Sequence, residues 1–315
     1  MATELVLLGT AGAPAPVAGR AGISSALAVD GRVFVVDCGR GAPSGYADAG
    51  LDFARLAGIF LTHLHADHTG DLAGLLLYPW GLRAGPEGPL PPVQVYGPGR
   101  PAHLGEGSGA FRRQTTIHPE LPAPGTADLV GHLLASYAYH LNVMPLDAEM
   151  PDPGQLVRAT DIGGPGVVLD DGAVRVTAAQ VMHGHAAPAY AYRFDTPDGS
   201  VVFSGDTTVT DNLIALAHGA DILVHHVADL GYLERHGWSG AALQHMAGLH
   251  TDVTEVGRVA QRAGVRELIL THYLPAEPDA VSAADWAERA GQGFSGRTVA
   301  GRDGLRRTLP DAGDR

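Results

Sequence analysis

The sequence predicts an α/β fold in which two mixed β-sheets pack between helices. Two observations predict it: apolar runs of strand length alternate with helical patterns twice along the chain, and several runs end on metal-binding residues. The chain has 315 residues, 45% hydrophobic and 17% charged, as in ordinary globular enzymes. At this length the chain could form one large domain or two small ones, and it can bury a substantial core.

In the first half of the chain, short apolar runs are separated by turn residues. The pair Asp30-Gly31 separates two alternating runs and predicts a β-hairpin. A helix is expected over residues 72–77, which follow the apolar run at 56–61. The expected strands cover residues 4–8, 26–29, 33–36, 56–61 and 93–96.

Residues 98–165 differ from the rest, because they are Pro-rich and contain one predicted helix, over 126–139. Over 98–160 four arginines face six acidic residues, a net charge of −2. Long loops in compact domains are often functional lids. We expect this insertion to fold over the active site, and the polar tail beyond Gly301 to be loosely held.

The strand pattern resumes after the insertion. A helix is expected over 253–263, where Val253, Val256, Val259 and Ala260 recur at helical spacing. The expected strands cover residues 174–178, 189–195, 201–204, 222–225 and 268–271.

Four metal-binding side chains lie within six positions: His63, His65, Asp67 and His68. An apolar run leads straight into them, so we expect them on the turn and helix start that follow a strand. Neutral imidazole suits zinc and similar borderline metals, and a carboxylate adds a hard ligand. Four ligands this close predict two metal ions rather than one.

Three further ligand candidates share one trait, since each follows an apolar β-run. They are His183, Asp206 and His272. The ends of strands are where α/β scaffolds collect catalytic groups. Together with the upstream cluster, these three predict one site built from distant parts of the chain.

These motifs resemble those of the metallo-β-lactamase superfamily. The resemblance also includes the strands 5–10 and 36–39, Phe203-Ser204-Gly205-Asp206-Thr207 and Leu270-Thr271-His272. It implies a single domain over residues 1–315, built as a four-layer αββα sandwich of two mixed β-sheets flanked by helices. It also implies two divalent metal ions, most simply Zn²⁺ with Mn²⁺ or Fe²⁺ as alternatives. By the family pattern, His63, His65 and His183 hold the first ion, Asp67, His68 and His272 hold the second, and Asp206 bridges both.

Within the superfamily, the chain resembles the branch of ribonuclease Z and arylsulfatase-like enzymes. Gly9-Thr10, Tyr96-Gly97-Pro98 and His250, 22 residues before His272, carry this resemblance. That branch's endonucleases place a Glu where this chain has His226, and hold tRNA with a basic, Gly-rich arm. The 98–165 insertion is mildly acidic instead, and the arginines are scattered, as at Arg112-Arg113.

We therefore expect a dinuclear hydrolase in which a metal-bridging hydroxide cleaves an ester-type bond of a small molecule: a sulfate, phosphodiester, lactone or carboxylic ester. Asp67 is expected to orient the hydroxide and His250 to protonate the leaving group. Loss of any metal ligand should abolish turnover. Expected substrate contacts are Tyr137, Tyr139, His140, Asn142, Tyr273 and His226.

Composition limits the alternatives. A net charge of −13 makes nucleic acid an unlikely partner, and the absence of lysine excludes Schiff-base chemistry. The single cysteine, Cys38, excludes internal disulfides. No signal peptide or membrane span is visible, which predicts a cytoplasmic protein; a homodimer is expected by family analogy. Two alternatives remain open: a tRNA 3′-processing endonuclease, and a non-hydrolytic metal-binding or redox member of the fold.

Overall fold

The computed structural model describes residues 2–85, 88–102 and 115–309. Arg112 and Arg113 lie outside the described residues. The described strands are β1 Glu4–Gly9, β2 Ser24–Val29, β3 Arg32–Val36, β4 Leu56–Phe60, β5 Val93–Pro98, β6 Val157–Ile162, β7 Gly166–Asp170, β8 Arg175–Val181, β9 Ala189–Thr196, β10 Gly199–Phe203, β11 Ile222–Ala228, β12 Glu267–Leu274, β13 Arg297–Ala300 and β14 Arg306–Thr308.

The described strands form two seven-stranded mixed sheets. The first has the order β14-β1-β2-β3-β4-β5-β6, and the second the order β13-β12-β11-β10-β9-β8-β7. In the first sheet the pairs from β14 to β3 are antiparallel and those from β3 to β6 are parallel. The second sheet repeats this arrangement, antiparallel from β7 to β10 and parallel from β10 to β13. The ligand-bearing segments follow strands from both sheets.

Helices cover the outer faces of both sheets. The described α-helices are α1 Ala42–Asp48, α2 Ala66–Thr69, α3 Leu72–Leu77, α4 Thr126–Ser136, α5 Ala138–Asp147, α6 Asp211–Leu216, α7 Leu230–Arg235, α8 Gly240–Ala247, α9 Val253–Ala263 and α10 Ala283–Ala290. α9 has the predicted bounds because Asp252 caps its first turn and Gly264, at φ 66°, ends it.

Three hydrophobic layers hold the sandwich together. Aromatic rings fill the layer between the sheets, where Phe34 and Phe60 of the first sheet pack against Phe194 of the second, with ring centroids 6.2 and 5.0 Å apart. A second layer joins the first sheet to α1, α3, α4 and α5. The third joins the second sheet to α6, α9 and α10. The predicted αββα sandwich is therefore confirmed.

The structure corrects three predictions about elements. The helix expected over 126–139 is two helices, α4 and α5, because Tyr137 leaves helical geometry at φ −101° and ψ 17°. The insertion expected over 98–165 contains β6, which pairs along the whole of β5. The tail expected to be loose forms β14 and buries Leu309.

A search of the described residues finds no helix with the length and apolarity that a membrane crossing requires.

Candidate metal centre

Upstream ligands reach the centre from the end of β4. The chain leaves that strand at Phe60 and presents His63 and His65 from the turn, then Asp67 and His68 from α2. His65 is the exposed member of this set, whereas His63 and His68 are 1% exposed. The ligands therefore extend from the protein interior to the surface, as the sequence predicts for a turn after a strand.

Downstream ligands come from the second sheet. His183 follows β8, and Asp206 follows β10 after Gly205, which lies at φ 57°. A Cβ at Gly205 would lie 2.9 Å from the Thr62 Cβ, so the close approach of the two ligand loops requires glycine. His272, expected just beyond a strand, lies inside β12 at φ 47°, where the register of β11 and β12 shifts. Such a bulge re-aims a side chain out of the strand.

The first predicted ligand triad is assembled. His63 Nε2 lies 3.0 Å from His65 Nδ1, and His183 Nε2 lies 3.3 Å from the same His65 nitrogen. These three imidazoles form one compact group of potential donor atoms. Nitrogen ligands alone suit a borderline divalent cation.

The second predicted triad lies beside it. His68 Nε2 is 3.2 Å from His272 Nε2, and Asp67 Oδ2 is 3.4 Å from the same His272 nitrogen. Because it includes a carboxylate oxygen, this group is a harder ligand set than the first, which has nitrogen donors alone.

Asp206 Oδ2 lies between the two triads. It is 3.3 Å from His272 Nε2, 3.6 Å from His68 Nε2 and 3.8 Å from His183 Nε2. Asp206 Oδ1 is buried and has no hydrogen-bond partner among the described residues. A tetrahedral ion with ligands at about 2.0–2.1 Å holds its donor atoms roughly 3.4 Å apart. The spacing of these donors therefore fits a pair of cations that share Asp206.

Hydrogen bonds orient the ligand rings. His68 Nδ1 donates to Asp37 Oδ2 at 2.8 Å, and His183 Nδ1 donates to the Leu249 carbonyl at 2.9 Å. Each bond leaves Nε2 free for a metal, as is usual behind zinc-bound histidines. Thr62 also donates to Asp37, through its amide at 2.8 Å and its hydroxyl at 2.9 Å. No role was predicted for Asp37 from the sequence; its position directly after β3 is the signal that could have found it.

The protonation states of the histidines favour metal binding. Burial lowers the pKa of His63, His65 and His183, so these rings are neutral ligands at neutral pH. His68 differs: burial alone would lower its pKa, but Asp37 and Asp206 outweigh that effect and raise it. A cation at the second triad would therefore replace a proton on His68.

The carboxylates stay ionised. Burial alone would raise the pKa of Asp67, but the hydrogen bond with His272 outweighs it and lowers the pKa to about 2. Burial also opposes ionisation of Asp206, whose pKa is nevertheless held well below its usual range by His272 and His68. The two carboxylates therefore place two buried negative charges among the imidazoles. Divalent cations bound there would compensate this buried charge.

His250 lies at the edge of this cluster. Its Nδ1 is 3.7 Å from Asp206 Oδ2, has no hydrogen-bond partner among the described residues, and could join His183 and Asp206 around an ion. Burial lowers the pKa of His250 to about 3, so the ring is neutral in the free protein. The structure thus places His250 within reach of the reacting centre.

His226 is 1% exposed and packs next to His250. Its Nε2 accepts the Thr251 amide at 3.0 Å, and its ring centroid lies 5.4 Å from that of His250. Burial keeps the pKa of His226 well below its ordinary value. The expectation that His226 contacts substrate is corrected, because the side chain is enclosed and fixes the backbone next to His250.

Tyr273 is also a packing residue. It is 1% exposed, packs against Trp286 with the two rings tilted by 50°, and donates its hydroxyl to the carbonyls of Leu270 and Gly301. The expected substrate contact through Tyr273 is therefore wrong, because its ring is directed into the core rather than towards the ligands.

The four expected contacts from the insertion lie on or next to α5, in the outer helix layer. His140 packs against Trp80, which belongs to the core beneath the first sheet. None of the described cavities that border the metal cluster is lined by Tyr137, Tyr139, His140 or Asn142. As contacts for a small molecule held at the cluster, these residues are misplaced.

Of the described cavities that border the cluster, two are lined by His65. One, of about 510 Å³, lies on the side of His183 and His250 and continues along α7 and α8. The other, of about 430 Å³, lies on the side of His63 and is lined largely by prolines and by Leu129 of α4. We refer to these two cavities, with His65 between them, as the groove.

Comparison with known proteins gives the family. The model of the metallo-beta-lactamase superfamily matches residues 19–272. A ribonuclease Z of Mycobacterium sp. (strain KMS) is 34% identical over 309 residues, 95% of this chain and 94% of its own length. Human tRNase Z, short form, has a similar fold, with a TM-score of 0.65, 18% identity, and coverage of 98% of this chain and 99% of its own. The metallo-beta-lactamase fold protein YhfI from Bacillus subtilis has a TM-score of 0.62, with 20% identity, and coverage of 97% and 99%.

These relatives contradict the prediction of a small-molecule substrate with nucleic acid as an unlikely partner, since the similar proteins are named as ribonucleases and tRNases. The prediction failed because a net charge sums the whole surface and does not describe the groove beside the cluster. The His and Asp clusters are compatible with a dinuclear metal site. The chain belongs to the metallo-β-lactamase superfamily, on its ribonuclease Z branch, and is a metal-dependent hydrolase.

Proposed function

We propose that this chain is a ribonuclease Z-type endonuclease, which hydrolyses a phosphodiester bond at the 3′ end of precursor tRNA. The observation that carries the proposal is the cluster of seven donors, spaced for two cations, in a chain aligned with ribonuclease Z over 95% of its length. A phosphodiester is also one of the ester bonds that a dinuclear centre cleaves by in-line displacement. We propose zinc as the metal because five of the seven ligands are imidazoles.

Each residue then has a stated task. His63, His65 and His183 would hold one cation, Asp67, His68 and His272 the other, and Asp206 both. Two bound cations would supply a hydroxide nucleophile near neutral pH and neutralise the charge of the scissile phosphate. Asp67, already ionised and 3.4 Å from His272, would also orient the attacking oxygen.

His250 would give a proton to the departing oxygen. In the free protein its ring is neutral, because burial lowers its pKa to about 3. A bound phosphodiester adds negative charge beside the ring, and that charge raises the pKa of a nearby histidine. His226 holds the neighbouring Thr251 amide, so it would fix the approach of His250 to the substrate.

We also propose a lid role for the part of the insertion that precedes β6. Pro122, Pro124 and Leu129 line the cavity next to His63, so the segment that begins α4 borders one end of the groove. The single-domain organisation, the homodimer and the resemblance to arylsulfatase-like enzymes remain predictions.

The test is cleavage of a 5′-labelled precursor tRNA with a 3′ trailer by zinc-loaded protein. We expect cleavage at the trailer junction by the wild type and at least a 1,000-fold loss (roughly the scale of losing essential catalytic groups) in His65→Ala. Activity should be normal in His218→Ala, which removes an exposed histidine that belongs to none of the ligand groups. Protein that binds zinc and hydrolyses bis(p-nitrophenyl) phosphate but leaves the precursor intact would contradict the proposal.

A further inference from the structure

The cavity on the His250 side of the cluster has an apolar wall, in contrast to the polar side chains of the metal centre. Asp67 and His183 line one side of it, and Leu233, Met246 and Leu249 line the other. Among the described lining residues there is no lysine or arginine. A volume of about 510 Å³ is within the range of ligand pockets. Because the wall is apolar, it suits an uncharged part of a substrate whose charged part lies at the cluster.

Trp238 is the aromatic residue of this wall. Its side chain is 41% exposed, whereas Trp80 is 0% and Trp286 2% exposed. A single exposed apolar residue needs no explanation. Trp238 is different because it shares a cavity with Leu233, Met246 and metal ligands.

The backbone holds Trp238 in place. Its amide donates to the Leu233 carbonyl at 3.0 Å, and Gly237, at φ 94°, makes the turn that folds it back over α7. α7 is itself anchored, since Asp229 accepts the Tyr232 amide at its first turn and pairs with Arg289 of α10. An aromatic ring on a fixed turn is a preformed surface, which lowers the entropy lost on binding.

The position of the wall matches the path of a polymer. His65 lines this cavity and the proline-lined one on the opposite side, so a chain whose scissile bond lies at the cluster extends into both. For an RNA strand, the groups that leave the backbone on either side are nucleobases. Unpaired bases are commonly held by stacking on aromatic side chains.

We propose that Trp238 is a stacking platform for the unpaired nucleobase next to the scissile phosphate, on the side of the cluster that His250 occupies. The proposal rests on the proposed function, because it takes RNA as the substrate. Trp238 would act as a specificity-determining residue: it contacts the substrate base but none of the reacting atoms. Leu233, Met246 and Leu249 would exclude water from the edge of that base.

The test compares Trp238→Ala and Trp238→Phe on four substrates: a precursor tRNA, two versions of it with an abasic nucleotide on one or the other side of the cleavage site, and bis(p-nitrophenyl) phosphate. Removal of a base-stacking aromatic costs roughly 5- to 150-fold in binding. We expect Trp238→Ala to lower kcat/KM on the precursor by that factor, mainly through KM, and Trp238→Phe to retain most of it. Tyr78→Ala, which removes an aromatic side chain that is 80% exposed at the end of α3, is the matched control.

Coupling to the base is the decisive readout. On one of the two abasic substrates, and on bis(p-nitrophenyl) phosphate, the wild type and Trp238→Ala should have the same kcat/KM. An equal loss on all substrates, or no loss on the precursor, would overturn the stacking role while leaving the proposed ribonuclease function intact. A wild type that cleaves no RNA would overturn both.

Discussion

Asp37 and His68 form a buried pair, in which His68 Nδ1 donates to Asp37 Oδ2 at 2.8 Å and both side chains are at most 3% exposed. The pair fixes the ring of His68 with Nε2 towards His272. Removal of such a partner typically costs 10- to 100-fold in metal affinity. We expect Asp37→Ala to lower zinc affinity of the second triad by about that factor, measured by competition with a chromogenic chelator.

The control for this variant is Asp211→Asn, whose carboxylate side chain is 87% exposed on α6 and pairs with Arg262. Zinc affinity in that variant should equal the wild-type value. If Asp37→Ala bound zinc as tightly as the wild type, the orienting role of Asp37 would be wrong.

His226 should act through hydrogen bonding to the Thr251 amide. His226→Ala removes the acceptor, so we expect kcat on precursor tRNA to fall by roughly tenfold, the scale of one lost hydrogen bond, while zinc content stays at the wild-type level. His226→Gln offers an amide oxygen to the same donor and should recover much of the activity. Equal activities of the two variants would show that the hydrogen bond is unimportant.

Tyr273 should matter for stability rather than for catalysis. Tyr273→Phe loses the hydroxyl bonds to the carbonyls of Leu270 and Gly301, which lie 3.2 and 2.9 Å away. We expect the free energy of unfolding to fall by about 1–2 kcal/mol, with kcat/KM unchanged. Urea denaturation and steady-state kinetics measure the two quantities. A large loss of kcat/KM in a stably folded variant would restore the idea of substrate contact.

Asp229 gives the fold a pH-dependent contribution. Burial opposes its ionisation, but the Arg289 hydrogen bond outweighs that effect and lowers the pKa of Asp229. Because the folded pKa lies below the unfolded value of about 3.9, the stabilisation is complete above that value and is lost as the pH falls through the folded pKa. We expect Asp229→Asn to cost roughly 3 kcal/mol at pH 7.

The cost of Asp229→Asn should shrink at pH 3, which denaturant titration of metal-free protein can measure. A difference between the variant and the wild type that is the same at both pH values would contradict the assignment. Asp211→Asn, with its exposed carboxylate, should change stability by less than about 0.5 kcal/mol at either pH.

Much of the fold and of the metal cluster was predictable, because both follow local rules. Alternating apolar runs located β2 and β3, and helical spacing with a capping Asp252 located α9. The seven ligand candidates share a position after or near the end of an apolar run, and strand ends converge at one edge of a sandwich.

The features missed depend on tertiary packing. β14 is three residues long, and it forms because β1 has an open edge with which it pairs. The sequence of β14 alone does not predict this pairing. The roles of Tyr273 and Tyr139 were misjudged because residue type does not say whether an aromatic ring faces the core or the solvent. Trp238 and Asp37 have their significance only from neighbours that are distant in sequence.

The number of zinc ions bound per chain tests the central claim most directly. Equilibrium dialysis against zinc followed by elemental mass spectrometry should give two ions for the wild type, one for His65→Ala, which loses a ligand of the first triad only, and none or nearly none for Asp206→Ala, which loses the shared ligand. A wild-type protein that binds one ion or none at saturating zinc, yet still hydrolyses phosphodiesters, would contradict the account.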